Sequence, residues 1–174
     1  MEVRGLYIRL PGHSVKELLP YYTQLSNLAA AVSSVLLVIA GQTSPVAAFR
    51  YLSVCMLMMT VFVTTCVLIP MGMPPKEMLL KGNCLYHHTL CPAVSLISYL
   101  FFERHAGRPA IILPVLVTLV YGIIMLLLNA KGTVDGPYPF FRVKKQSKKA
   151  TVLWFLALSA VIAAISAAVS LAAG

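Results

Sequence analysis

AIILPVLVTLVYGIIMLLLNA, residues 110–130, runs for 21 residues without an Asp, Glu, Lys or Arg. A helix rises 1.5 Å per residue and needs about 20 residues to cross roughly 30 Å of hydrocarbon, so this stretch is long enough to span a bilayer. Arg108 lies just before it and Lys131 just after. Four further stretches read the same way: 21–40, 51–70, 84–102 and 150–173. All 14 basic and 5 acidic residues of the chain fall outside these five stretches. A charge at the bilayer centre costs at least about 2.5 kcal/mol, and this segregation is what a polytopic helical membrane protein requires. The whole composition agrees. The chain has 174 residues, 59% hydrophobic and 11% charged, with a mean hydropathy of +0.85, whereas soluble domains carry roughly 25% charge. The sequence therefore predicts an all-α transmembrane bundle of five spans, with residues 1–19 as an amino-terminal arm and 20–174 as the membrane domain.

Orientation follows from the basic residues. Eleven lie in the amino-terminal arm and in the connectors 71–83 and 131–149, against only Arg50, Arg104 and Arg108 on the other side. The positive-inside rule then puts the amino terminus and those two connectors in the cytoplasm and the carboxyl terminus outside, in a multi-pass cell-membrane protein. The net charge of +9 is mostly this asymmetry, so no nucleic-acid partner is expected. The run from Arg142 to Lys149 reads as a collar against lipid headgroups. Residues 1–19 contain Glu2, His13 and Glu17 and lack the apolar core of a secretory signal.

Prolines punctuate the spans. Pro20 opens the first and Pro70, Pro74 and Pro75 close the second, while Pro92 and Pro114 lie inside the third and fourth and are expected to kink them. Cys55, Cys66, Cys84 and Cys91 all fall within spans and read as packing residues. Ser159, Ala163, Ser166 and Ser170 form a small-residue stripe suited to close helix contact.

Polar side chains inside the spans are the informative minority, because lipid-facing positions have no use for them. Thr23 and Asn27 share a face of the first span, His88 shares one with Ser95 and Tyr99 on the third, and Asn129 ends the fourth. Helical rise places all three helices' polar groups at one level, within about 6 Å of the same membrane face. The chemistry available to such a group is nucleophilic: a threonine hydroxyl attacks once an imidazole removes its proton, and imidazoles titrate near neutral pH. No span holds a carboxylate to orient the ring, so Asn27, Asn129 or a backbone carbonyl must do so, and an asparagine can also donate to a developing oxyanion. Two other readings stay open. Thr23 and Asn27 can simply tie helices together, and Cys84, His88, Cys91 and Cys66 have ligand chemistry, although no cofactor or metal is expected. The lack of any intramembrane carboxylate or lysine argues against ion-coupled transport.

The segments YYTQLSN (21–27), HHTLCP (87–92) and GPYPFF (136–141) resemble the bacterial branch of the androgen-induced membrane protein family, over roughly residues 21–141. The better understood animal members of that family are intramembrane threonine hydrolases of fatty acid esters of hydroxy fatty acids. The resemblance implies Thr23 as nucleophile, a histidine of the His87–His88 pair as its base, with His88 favoured, and the aromatic segment Tyr138, Pro139 and Phe140 as a substrate entrance. It implies a six-span bundle, of which the five spans read here lack the first, and a function as a hydrolase of an ester bond in a lipid or other long-chain apolar substrate. A non-catalytic protein that binds membrane lipid or stabilises a partner is the alternative.

Overall fold

The computed structural model describes residues 21–103, 109–134 and 138–173. The expected amino-terminal arm, 1–19, lies outside them. All regular structure among the described residues is helical.

Helix α1 (Tyr22–Ala40) ends at Gly41. Helix α2 (Ser44–Phe62), opened by Pro45 in its first turn, runs without a break into a π-helical turn, Val63–Leu68. Two short helices, α3 (Pro75–Leu79) and α4 (Gly82–Leu85), follow. A second π-helical turn, Tyr86–Leu90, then leads into α5 (Cys91–Phe101). Helix α6 (Ile112–Lys131) stops at Gly132 in the left-handed conformation, where the amides of Gly132 and Thr133 bond back to Asn129 and Leu128. Two 3-10 turns, Pro139–Phe141 and Val143–Lys145, lead to α7 (Lys148–Ala172). Ser147 caps α7 by accepting the Ala150 N–H at 3.1 Å.

Four of these rods are long and apolar enough to cross a membrane: Tyr22–Ala40, Ser44–Leu68, Ile112–Lys131 and Lys148–Ala172. The outer faces of α1, α6 and α7 expose Val35, Val38, Leu116, Val120, Ile124, Leu153 and Leu156, among others. Such surfaces suit lipid and not water. This is an all-α protein with the helices of a membrane protein. The expected span 84–102 is helical across 82–101 but is not among the four; it is divided into α4, the π turn and α5.

Burial separates the four rods into a hub and its neighbours. About 67% of the Ser44–Leu68 window is buried, against 22% or less for each of the others, and α2 packs against α1, α5, α6 and α7. Tyr51, Val54, Cys55 and Leu57 are wholly enclosed. The Tyr51 hydroxyl donates to the Ser166 carbonyl at 2.7 Å, so the small-residue stripe of α7 is where that helix meets the hub, and Ser166 and Ser170 are both buried. Helices α6 and α7 approach closely at Gly122, where a β-carbon would stand 3.3 Å from the Phe155 ring. Gly122→Leu is expected to overpack this contact and destabilise the protein by about 1–3 kcal/mol, visible as a lower melting temperature in detergent; an unchanged melt would show that the helices separate freely here.

Three sequence expectations change. The second span starts at Ser44, not 51, and takes in Arg50. Arg50 is buried because Glu103 neutralises it: Nη2 lies 2.6 Å and Nε 3.0 Å from Oε1, with Nη1 donating to Ser34 Oγ at 3.0 Å and Ser98 Oγ donating to Oε1 at 3.1 Å. Both side chains are under 5% exposed. Pro114 sits in the first turn of α6, a position that needs no N–H donor, and does not interrupt that helix, whereas Pro92 lies inside the continuous helical stretch 82–101, just after the π turn where α-helical winding is broken. Cys66 is exposed and not packed, whereas Cys55 is fully buried.

Candidate functional site

Thr23 is the second residue of α1, where a backbone N–H has no partner within the helix. Tyr138 supplies one. Its phenol oxygen accepts the Thr23 N–H at 3.4 Å and lies 3.2 Å from Thr23 Oγ1. Thr23 is held from the other side through its own carbonyl, which accepts from Ser26 Oγ at 3.0 Å and from Asn27 Nδ2 at 2.7 Å. Asn27 Nδ2 also donates to the His87 carbonyl at 3.3 Å, tying α1 to the second π turn. Asn27 is fully buried, and its Oδ1 has no hydrogen-bond partner among the described residues. The asparagine thus braces two backbones, and its amide reaches Thr23 and His87 at their carbonyls.

His87 and His88 both lie in the π turn Tyr86–Leu90, and both are buried. On an α-helix, adjacent side chains diverge by about 100°. The wider turn narrows that angle, and the two rings share an interior. Turns of this kind recur at functional sites. His88 Nδ1 lies 2.8 Å from the Met78 carbonyl, and Thr89 Oγ1 donates to the Leu79 carbonyl at 2.8 Å. These are the last carbonyls of the short helix α3, which have no partners within it. A carbonyl only accepts, so Nδ1 carries the proton and the lone pair of the neutral His88 ring sits on Nε2. Of the orienting groups that sequence leaves open, His88 has the backbone carbonyl.

Two cavities meet at Thr23 and Tyr138. One is a chamber of about 420 Å³ of mixed lining, bounded by Thr23, Gln24, His87, His88, Tyr138 and Arg142 together with methionines of the 71–78 segment. The other, of about 60 Å³, is an apolar crevice among α1, α2, α6 and α7, walled by Met59, Val63, Leu126, Phe141, Trp154 and Leu158. Thr23 and Tyr138 belong to both. Tyr138 stacks on Phe140 with ring centroids 5.2 Å apart and packs edge-on to Tyr21. Burial pushes its phenol above the ordinary tyrosine range, against the opposing effect of the Thr23 hydrogen bond, so it stays protonated and can donate.

The structure therefore brings Thr23, His87, His88 and Tyr138 to one chamber. It does not bring Asn129 or Phe140 there. Asn129 donates to the Val134 carbonyl at 3.0 Å and accepts the Val143 N–H at 2.9 Å, so both ends of its amide hold the 131–147 connector. Phe140 faces the crevice. The bond between Tyr138 and Thr23 and the orienting role of Met78 were not legible in the sequence, since 115 residues separate the first pair and a backbone carbonyl leaves no residue-type signature. Among the described residues, no three His, Cys, Asp or Glu side chains are grouped so as to hold a metal ion. No protein-family model matches this chain, and no curated protein and no solved structure shows significant similarity to it.

Proposed function

We propose that this protein is an intramembrane hydrolase of ester bonds in lipid or other long-chain apolar substrates. One observation carries the reading: Thr23 stands where a chamber lined by two histidines meets an apolar crevice. An acyl chain would lie in the crevice and put its ester carbonyl at the threonine. Thr23 Oγ1 forms a bond to the carbonyl carbon while His88 Nε2 takes the hydroxyl proton. The Tyr138 hydroxyl donates to the oxyanion. Collapse breaks the ester C–O bond, the alcohol leaves with the proton from His88, and water then cleaves the acyl-threonine by the same steps. The resemblance to the androgen-induced family supports this assignment. In the same reading the helical stretch 82–101 forms a fifth crossing, and the chamber faces the cytoplasmic side with the connectors 71–83 and 131–149.

The Thr23–Tyr138 hydrogen bond also favours a second reading, in which the pair only fastens the start of α1 to a connector. Hydrolysis of a long-chain fluorogenic ester by the purified protein in detergent separates the two. Thr23→Ser is expected to retain turnover and Thr23→Ala to lose it with the melting temperature little changed. Equal turnover in both variants would leave only the fastening role.

A further inference from the structure

The apolar crevice carries one hydroxyl that the proposed reaction leaves unused. Thr64 borders it from the π turn Val63–Leu68, and the residue is only 2% exposed. A threonine on a membrane helix ordinarily bonds back to a carbonyl one turn earlier. Thr60 does so, to the Met56 carbonyl at 3.2 Å, and Thr65 to the Val61 carbonyl at 2.8 Å. Thr64 does not: its hydroxyl makes no hydrogen bond among the described residues. The Thr60 carbonyl, which it would otherwise reach, accepts the Val63 N–H where α2 gives way to the π turn. Other hydroxyls along the crevice are held by the protein. Thr118 pairs with Tyr22 at 2.8 Å, Thr151 donates to the Ser147 carbonyl at 3.3 Å and Ser159 to the Phe155 carbonyl at 2.6 Å. A buried hydroxyl without a partner costs about 1–3 kcal/mol, and a ligand in the crevice removes that cost by accepting from it.

The height of Thr64 in the bundle decides which part of a ligand it meets. Ser26 Oγ lies 3.0 Å from Thr60 Oγ1, and Ser33 Oγ lies 2.9 Å from Ser53 Oγ. Seven residues forward along α1 thus match seven backward along α2, so the two helices run antiparallel in constant register. Four residues beyond Thr60, Thr64 comes level with Tyr22, next to Thr23. Thr23, Thr64 and Tyr138 all border the crevice, and the Thr23 hydroxyl bonds to Tyr138 and not to Thr64. We propose that Thr64 is a further catalytic residue, whose hydroxyl donates to the carbonyl oxygen of the ester under attack. The inference rests on the hydrolase reading and deepens it. As Thr23 Oγ1 bonds to the carbonyl carbon, the C=O π pair moves onto oxygen and the Thr23 proton onto His88 Nε2. The oxyanion then accepts from Tyr138 and from Thr64, which keeps its own proton throughout. A hydroxyl bonds more strongly to an oxyanion than to the neutral carbonyl before it, and most of all where water is excluded, so this contact favours the transition state over bound substrate.

The test is steady-state hydrolysis of a long-chain p-nitrophenyl ester by the purified protein in neutral detergent, with a melting curve for each variant. Thr64→Val keeps the shape of the side chain and removes the donor. It is expected to lower kcat about 100-fold with KM little changed. It is also expected to melt no lower than the unaltered protein, because no hydrogen bond within the protein is lost. Thr64→Ser restores the hydroxyl and is expected to recover most of the rate. Thr65→Val, in the same π turn but off the crevice, is expected to leave the rate unchanged. A long-chain trifluoromethyl ketone, to whose carbonyl the Thr23 hydroxyl adds to give an oxyanion, is expected to bind Thr64→Val at least about tenfold more weakly than the unaltered protein. The proposal is overturned if Thr64→Val turns over as fast as the unaltered protein, if it changes KM alone, or if Thr65→Val slows turnover as much. In each of those cases the hydrolase reading stands. An unaltered protein that does not hydrolyse the ester overturns that reading, and the role of Thr64 falls with it.

Discussion

Alanine at His88 is expected to lower ester turnover by two to four orders of magnitude, and alanine at both Thr23 and His88 to lower it no further than Thr23→Ala alone. The size follows from what a positioned base contributes to proton transfer, and the lack of additivity from the two side chains acting as one unit: once the hydroxyl is gone, the base has no proton to take. His88→Asn can still meet the Met78 carbonyl through its amide N–H but has no basic nitrogen. It is expected to keep the fold and lose the rate, which separates the chemical role from that of completing α3. The measurement is initial rate against a long-chain ester in mixed micelles, alongside a melting curve for each variant. A double variant much slower than either single one would mean the two residues act independently, and the proton transfer proposed between them would fall.

The second large effect lies at the opposite end of the bundle. Glu103→Ala is expected to destabilise the protein by about 3–5 kcal/mol, because it strands the buried Arg50 guanidinium without its counter-charge. Arg50 lies about 9 Å along α2 from its start at 1.5 Å per residue, inside the helix that touches most of the bundle. Glu103 and Ser98 hold it from the α5 side and Ser34 from α1, so one ion pair joins three helices. Arg50→Leu/Glu103→Leu removes both charges and is expected to recover most of the stability, since a well-packed apolar pair often equals a buried salt bridge. Equilibrium unfolding in detergent reports both numbers. A Glu103→Ala variant as stable as the unaltered protein would show that water or lipid phosphate reaches Arg50 from outside.

The same ion pair shows what a linear reading of this chain holds and omits. Hydropathy is a local property, and the apolar cores of α1, α2, α6 and α7 were evident from it. Arg50 was placed outside its helix because a charge counts against a span in any window, while the residue that neutralises it lies 53 positions away. The stretch 84–102 was legible as helical, but not the π turn, which depends on how His88 and Thr89 meet the end of α3. At the site, depth along each span put Thr23, the histidines and Asn129 at one level. Depth says nothing of direction around the helix axis, and Asn129 turns its amide toward its own connector. Tyr138 was noticed only through its aromatic segment, and its bond to Thr23 joins the beginning of one rod to a turn near the end of the chain.

The two π turns give this protein an unusual sensitivity to chain length. Each is a helix that has accommodated one more residue per turn than its neighbours. Excising a single residue between 86 and 90 would restore ordinary winding and shift the side chains beside the deletion around the helix axis, by up to about 100° for each residue of offset. Hydropathy, charge and helix content would hardly register the loss. Among chains of this type, a one-residue gap at that point would mark a bundle of the same helices in which His87 and His88 no longer line one chamber.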